Sequence, residues 1–347
     1  MENVKLTELS KGSGCGCKID ASTLDKILAN NLFLPDNDKL LVGNSTKDDA
    51  AVYDMGNGQA LIFTTDFFTP IVNDAEIFGQ IAAANAISDV YAMGGKPLMA
   101  LAILGWPIDN ISPHVANMVM QGARTICAKA KIPLAGGHSI DSQTPFFGLA
   151  VTGLVNINNL KRNDTAVAGD SIFITKPIGV GILAAAQKKQ LLLPADEEFM
   201  ISQLTQLNAF GEALGSLPYI SALTDVTGFG LLGHLIEMAE GANLTATINY
   251  ANIPIIDAAK EFAKQRVVPD ATYRNWNSYS SKVSFLPGVN VMEAFNILPD
   301  PQTNGGLLFT APPGNINQLQ QLAIDKGITL YEIGKMLPAQ DKRIIVA

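Results

Sequence analysis

Residues 60–104 read ALIFTTDFFTPIVNDAEIFGQIAAANAISDVYAMGGKPLMALAIL. Ala60 to Thr65 is a short apolar, β-branched run of strand length. Glu76 to Met93 has apolar residues at helical spacing and stops at Gly94-Gly95, where glycine supplies the left-handed turn that ends many helices. Leu98 to Leu104 reads as the next strand. Strand, helix and strand in that order make an α/β unit.

Outward from this stretch the alternation continues. Pro113 to Lys129 has helical spacing and Phe146 to Val155 is apolar and β-rich. Asn163 to Asp170 (NDTAVAGD) turns small and polar, a signal for a domain boundary. A second α/β series opens with a strand at Ser171 to Thr175. Helices are expected near Gly179 to Lys188, Asp196 to Leu214 and Leu231 to Glu240, with strands near Leu307 and Leu330. The expected organisation is therefore two α/β domains, 44–165 and 166–347. A glycine-rich segment, 1–43, precedes them, expected to be mobile when nothing is bound. It carries a short helix from about Ser22 to Ala29, capped by Asp20 or Ser22.

The totals agree with two domains: 347 residues, 48% hydrophobic and 16% charged, enough apolar material for sizeable cores. A net charge of −8 and a pI near 4.9 give no electrostatic footprint for nucleic acid. Met1 to Ser13 has no apolar core of signal-peptide length, and runs such as Met99 to Gly105 are too short to span a membrane. A soluble, cytoplasmic protein is expected. Three cysteines, Cys15, Cys17 and Cys127, cannot build a disulfide framework and read as free thiols in a reducing compartment.

Four segments set aspartate beside turns or strand ends: Thr46-Lys47-Asp48-Asp49, Thr64-Thr65-Asp66, Asn85-Ala86-Ile87-Ser88-Asp89 and Leu223-Thr224-Asp225. Carboxylates gathered from several elements hold hard cations through oxygen, and magnesium in turn bridges to nucleotide phosphates. Taken singly, Asp48 and Asp66 read equally well as caps or turn formers. Asp89 is different, because it lies inside an apolar helix where an unpaired charge is costly. Asn85, four residues earlier, shares its face.

Gly12-Ser13-Gly14-Cys15-Gly16-Cys17-Lys18 invites comparison with a phosphate-binding loop, but Cys17 and Ile19 stand where a P-loop needs glycine and a hydroxyl. The segment can still bring backbone N–H groups and Lys18 to a phosphate as a lid. Cys15, flanked by glycines, is expected to be accessible and drawn toward thiolate by Lys18. Metal binding by Cys15 and Cys17, or no role at all, stays open, with Cys127, His114, His138 and His234 as the remaining soft ligands.

Gly228-Phe229-Gly230-Leu231-Leu232-Gly233 matches a dinucleotide fingerprint. The next strand, Leu244 to Tyr250, ends in Ala251-Asn252 without the acid that a ribose needs. Ala135-Gly136-Gly137-His138-Ser139 follows a short strand and lets backbone approach a ligand closely, although a core histidine explains it too. Asp300-Pro301-Gln302-Thr303-Asn304-Gly305-Gly306-Leu307 is a turn entering a strand.

Together these segments, with Leu41-Val42-Gly43-Asn44, Ala92-Met93-Gly94-Gly95-Lys96-Pro97 and Thr227-Gly228-Phe229-Gly230, resemble the selenophosphate synthetases over nearly the whole chain. The resemblance implies a homodimer of aminoimidazole-ribotide-synthetase-like subunits, the first domain's sheet contributing to the dimer. It implies the reaction ATP + selenide + water → selenophosphate + orthophosphate + AMP, with Mg²⁺ as cofactor. The family's essential cysteine or selenocysteine falls on Cys15 and its essential lysine on Lys18. Its magnesium-binding aspartates fall on Asp49, Asp89 and Asp225. Its nucleotide contacts fall on Lys18, Thr46, Lys47, Asp48, Asp66, Asp89 and Gly137, His138 and Ser139. Two departures stand out: cysteine occupies position 15, where the family often has selenocysteine, and Asn304 replaces the serine of Pro-Gln-Thr-Ser-Gly-Gly.

Overall fold

The computed structural model describes residues 5–9, 14–19, 21–28, 37–43 and 47–347. Thr46, Asn44, Gly12, Ser13 and the expected cap Asp20 lie outside them. In the first half, α1 (Ala21–Leu28) precedes β1 (Leu40–Val42), β2 (Ala51–Asp54), β3 (Gln59–Phe68), α2 (Ala75–Ala92), β4 (Lys96–Trp106), α3 (Pro113–Lys129), β5 (Leu134–Asp141) and β6 (Phe146–Asn156). Among the described residues six strands form one sheet in the order β1-β2-β3-β6-β4-β5. β4 and β5 run parallel, joined through α3, and the other pairs are antiparallel.

α2 is the structural centre. Asp74 caps it, its carboxylate accepting the Ile77 N–H at 2.8 Å. Small residues (Ala82, Ala83, Ala84, Ala86) let it sit buried on nearly every side, between the sheet, α3 and the second domain. Gly79 and Gly122 permit its close crossing with α3: a Cβ at either would stand 1.9 Å from a carbonyl oxygen of the other helix. Phe78 of α2 packs onto Phe68 and Phe147 of the sheet, with ring centroids 6.1 and 6.4 Å away. Burying each such ring stabilises by about 1.5–3 kcal/mol.

The second half contains β7 (Ser171–Ile174), α4 (Val180–Lys188), α5 (Pro194–Thr205), α6 (Phe210–Gly215), β8 (Ala222–Asp225), α7 (Gly230–Gly241), β9 (Leu244–Ile248), α8 (Asp257–Lys264), α9 (Asp270–Tyr279), β10 (Val283–Phe285), α10 (Val291–Ile297), β11 (Leu307–Ala311), α11 (Ile316–Asp325), β12 (Tyr331–Pro338) and β13 (Ile344–Val346). Seven described strands pair in the order β10-β13-β9-β12-β7-β11-β8. This is a two-domain α/β fold, as expected.

Two local expectations are corrected. The single helix expected over Asp196 to Leu214 is two, α5 and α6, interrupted at residues 206–209. The carbonyls at the end of α5 are taken by side chains from elsewhere: Asn304 Nδ2 donates to Leu204 O (2.8 Å) and Gln206 O (2.9 Å), and Lys176 Nζ donates to Gln206 O (2.8 Å). Ala135 to Ser139 does not follow a strand but lies within β5. Gly137 sits against Ala102 of β4, where a Cβ would come 2.2 Å from a carbonyl oxygen. Among the described residues no helix is long and apolar enough to cross a membrane.

Candidate active site

β3 alternates, so Thr64 and Asp66 point inward together while Phe63 and Phe67 point out. On α2, Asn85 and Asp89 share a face, and this pair meets the pair on β3. Thr64 Oγ1 donates to Asp89 Oδ2, and Asn85 Nδ2 donates to Asp66 Oδ2. Asp225, at the end of β8, and Asp49, between β1 and β2, complete the constellation. Carboxylate oxygens of Asp49, Asp89 and Asp225 all lie within 4.8 Å of one another.

Each of these three acids receives a hydroxyl from another element. Thr224 Oγ1 donates to Asp49 at 3.0 Å, Thr64 to Asp89, and Ser88 Oγ to Asp225, with Asn208 Nδ2 in turn donating to Ser88 at 2.8 Å. Three of these bonds cross between domains. Burial, and then the charges of neighbouring carboxylates, raise the pKa of Asp49 and Asp89 well above the carboxylate range; burial raises Asp225 too, against the Ser88 hydrogen bond. Asp49 Oδ2 is buried without a hydrogen-bond partner. An orphaned oxygen beside two other carboxylates fits a hard divalent cation, which would relieve both the repulsion and the unmet acceptor.

Residues 14–18 pack onto this cluster. Cys15 N–H donates to Thr303 Oγ1 at 2.9 Å and its thiol to Asn85 Oδ1 at 3.4 Å. Lys18 Nζ lies 3.1 Å from Asp66 Oδ2. Arg274 of α9 donates to Gly16 O at 3.0 Å. The accessible, thiolate-leaning Cys15 expected from its glycine neighbours is not what the structure holds. Cys15 is 1% exposed, and burial pushes its thiol well up, with Lys18 only partly opposing. The reason is geometric: Lys18 is engaged by Asp66. Burial works against the lysine's charge, but Asp66, then Cys15 and Asp89, outweigh it and hold Lys18 well above the usual value. Cys17 is exposed, so the two thiols do not share one environment.

The remaining expected residues fall in three places. Asp48 is turned into the protein, its carboxylate accepting the Asn163 N–H at 2.7 Å and lying 4.0 Å from Arg162. Lys47 is exposed with φ 56° and gives its carbonyl to Asn163. Gly137, His138 and Ser139 stand on the edge strand β5, separated from Asp66 by β6 and β4, about 14 Å away at ordinary strand spacing. They line a cleft of about 260 Å³ with Arg124 and Met120. The dinucleotide-like glycines of 228–233 serve packing: Gly230 (φ 71°) opens α7 where a Cβ would meet Pro299 at 2.7 Å. His234 is engaged with Thr227 (3.3 Å) and Glu237 (3.2 Å).

Sequence reading quoted Thr64, Ser88, Thr224 and Thr303 within their motifs but gave them no role, and it passed over Asn208. The first three each neighbour a quoted aspartate, but each serves an acid on a different element, a pairing that only the fold creates.

Residues 47–155 match the AIR synthase related protein N-terminal domain and residues 167–347 its C-terminal domain. A selenide, water dikinase from Colwellia psychrerythraea is 50% identical over 339 residues, 98% of this chain and 97% of that one. The chain belongs to the selenide, water dikinase family. The Escherichia coli K12 selenide, water dikinase agrees, at 47% identity over 344 residues, 99% of this chain and 98% of the other. Thiamine monophosphate kinase from Aquifex aeolicus (TM-score 0.67, 18% identity, 94% of each chain) shares the fold. So does hydrogenase maturation protein HypE in complex with ATP (TM-score 0.66, 18% identity, 99% of this chain and 94% of that one).

Proposed function

We propose that this selenide, water dikinase family member converts ATP, selenide and water to selenophosphate, orthophosphate and AMP. The observation that carries the reading is that Cys15 and Lys18, linked to each other through Asn85 and Asp66, stand beside the Asp49–Asp89–Asp225 cluster, whose Asp89 feels the charges of Lys18 and Asp66. A chalcogen-handling group thus stands beside a phosphate-handling one. Asp49, Asp89 and Asp225 hold magnesium, whose charge offsets that of the triphosphate in a protein carrying −8 overall. Lys18 leaves Asp66 for a phosphate oxygen when nucleotide enters. Thr46 and Lys47 are the triphosphate contacts of this segment, and Asp48, held by the Asn163 N–H, anchors it.

Cys15 stands where selenide, without change of oxidation state, passes to the phosphoryl group, inside a water-poor pocket that also shields selenide from oxidation. The same burial that keeps the thiol protonated makes opening of residues 14–18 part of the cycle. In that sense the glycine-rich segment is a lid.

The protein works as a homodimer. Phe63, Phe67, Met99, Leu101 and Ile140, each more than 40% exposed, lie on the sheet face opposite α2 and α3, and they suit a second copy. His138 is on that face too, so it reaches nucleotide across the pair and not within one chain, with Gly137 and Ser139 beside it on β5. Free Cys15, Cys17 and Cys127 agree with a cytoplasmic location. Anaerobic turnover tests the reading: AMP must accumulate from ATP only when selenide is present.

A further inference from the structure

We propose that Lys176 is a positioning residue for Cys15: it holds the main-chain carbonyl of Asn304, and so fixes from one side the residue whose N–H, on the other side, orients Asn85 against the thiol. The inference rests on Cys15 being the reactive group of the proposed reaction.

Lys176 follows β7 and is 4% exposed. Its ammonium does not end on a carboxylate. It donates to two main-chain carbonyls, Gln206 O at 2.8 Å and Asn304 O at 2.9 Å. A buried lysine is costly, and an apolar side chain of similar length would fill the space without that cost. Burial pushes Lys176 down to about 7, with Asp225 partly opposing. What the amine adds is geometry.

That geometry converges on Cys15. Asn304 adopts φ 46°, a left-handed conformation that asparagine takes more readily than most side-chain-bearing residues, and the peptide units on its two sides are each held. Lys176 takes its carbonyl; Asn85 Oδ1 takes its N–H at 2.7 Å. The same Asn85 oxygen accepts the Cys15 thiol, while Asn85 Nδ2 faces Asp66. Two donors at one end and a carboxylate at the other define which way the amide points. Without the Asn304 N–H, one of the two donors that fix this orientation is gone. Thr303, the preceding residue, accepts the Cys15 N–H. Thr303 therefore holds the backbone of Cys15 directly, Asn304 holds its thiol through Asn85, and Lys176 is anchored to Asn304.

Asn304 also explains its own departure from the family's serine. Its Nδ2 reaches Leu204 O and Gln206 O, so the side chain and Lys176 tie the same loop to the end of α5.

The test uses the full chain with Lys176→Met and Lys176→Gln. The alkylation rate of Cys15 by iodoacetamide is read by peptide mass spectrometry against Cys17 as internal reference. Because it needs no substrate, this arm stands even if selenide-dependent turnover is absent. In K176M the Cys15:Cys17 ratio is expected to rise about tenfold or more; kcat should fall by a similar factor with KM for ATP within about threefold. K176Q, which can still donate to one carbonyl, should fall between. If K176M does not fold, K176Q decides by its own rise above the parent. Ala323→Gly on α11, a destabilising change away from the site, controls for general loosening and should leave the ratio unchanged. A ratio within about twofold of the parent in the folded Lys176 variants overturns the proposal, as does an equal rise in the control.

Discussion

The Cys15 thiol donates to the side-chain oxygen of Asn85 across 3.4 Å, tying the glycine-rich segment to the central helix. The same amide donates to Asp66, the partner of Lys18. One buried asparagine thus couples the thiol to the lysine, and a single change should disturb both.

Asn85→Ala should therefore cost more than a lost hydrogen bond. It removes the acceptor of two donors and the donor to a buried carboxylate, contacts worth about 1–3 kcal/mol each when left unmet. Selenide-dependent AMP formation should drop about a hundredfold, about 2.7 kcal/mol in barrier terms. Cys15→Ser should lose selenophosphate formation altogether. Full activity in either variant, measured as initial rate, would remove that residue from the site.

The three acids repel one another when no cation is bound. Asp225→Asn or Asp89→Asn should raise the melting temperature of metal-free protein by a few degrees. The parent should gain stability on adding Mg²⁺, about 2.7 kcal/mol at a hundredfold excess over Kd, and the variants should gain little. Calorimetry with and without Mg²⁺ reads both effects. A variant that responds to Mg²⁺ as the parent does would dismiss that carboxylate as a ligand.

Asp300 gives a pH signature separate from the metal cluster. Its Oδ2 accepts the N–H groups of Gly181 and Ile182 at the start of α4, yet burial raises its pKa from 3.8 to about 8. Between those values the folded chain keeps a proton that the unfolded chain has released. Asp300 therefore makes stability fall as pH rises from about 4 toward 8. Asp300→Asn keeps the accepting oxygen and cannot titrate. Urea unfolding should show it losing on the order of 3 kcal/mol less than the parent between pH 5 and pH 7.5. Identical slopes would mean that Asp300 is ionised in the fold.

The exposed face of the first sheet should close on a second copy. Phe67→Glu puts a charge among Phe63, Leu101 and Ile140 and should shift sedimentation from dimer to monomer. A parent that sediments as a monomer would end the dimer reading.

Much of this was legible in the sequence. The α2 helix and its strands followed from apolar periodicity, and α3 from Pro113 to Lys129 fell where the pattern placed it. Asp89 announced itself as a charge within an apolar helix, and its neighbours in the triad through strand ends and turns. Legibility failed where distant segments supply the chemistry. The break after Thr205 depends on Asn304 and Lys176, about 100 and 30 residues away in sequence. The state of Cys15 depends on burial by Thr303 and Asn85, which local glycines cannot reveal.

The most direct test is anaerobic ³¹P NMR of the protein with ATP, Mg²⁺ and selenide. The account predicts a phosphorus signal coupled to selenium, with AMP and orthophosphate rising together. Conversion of ATP to ADP alone, with no selenium-coupled signal, would contradict it.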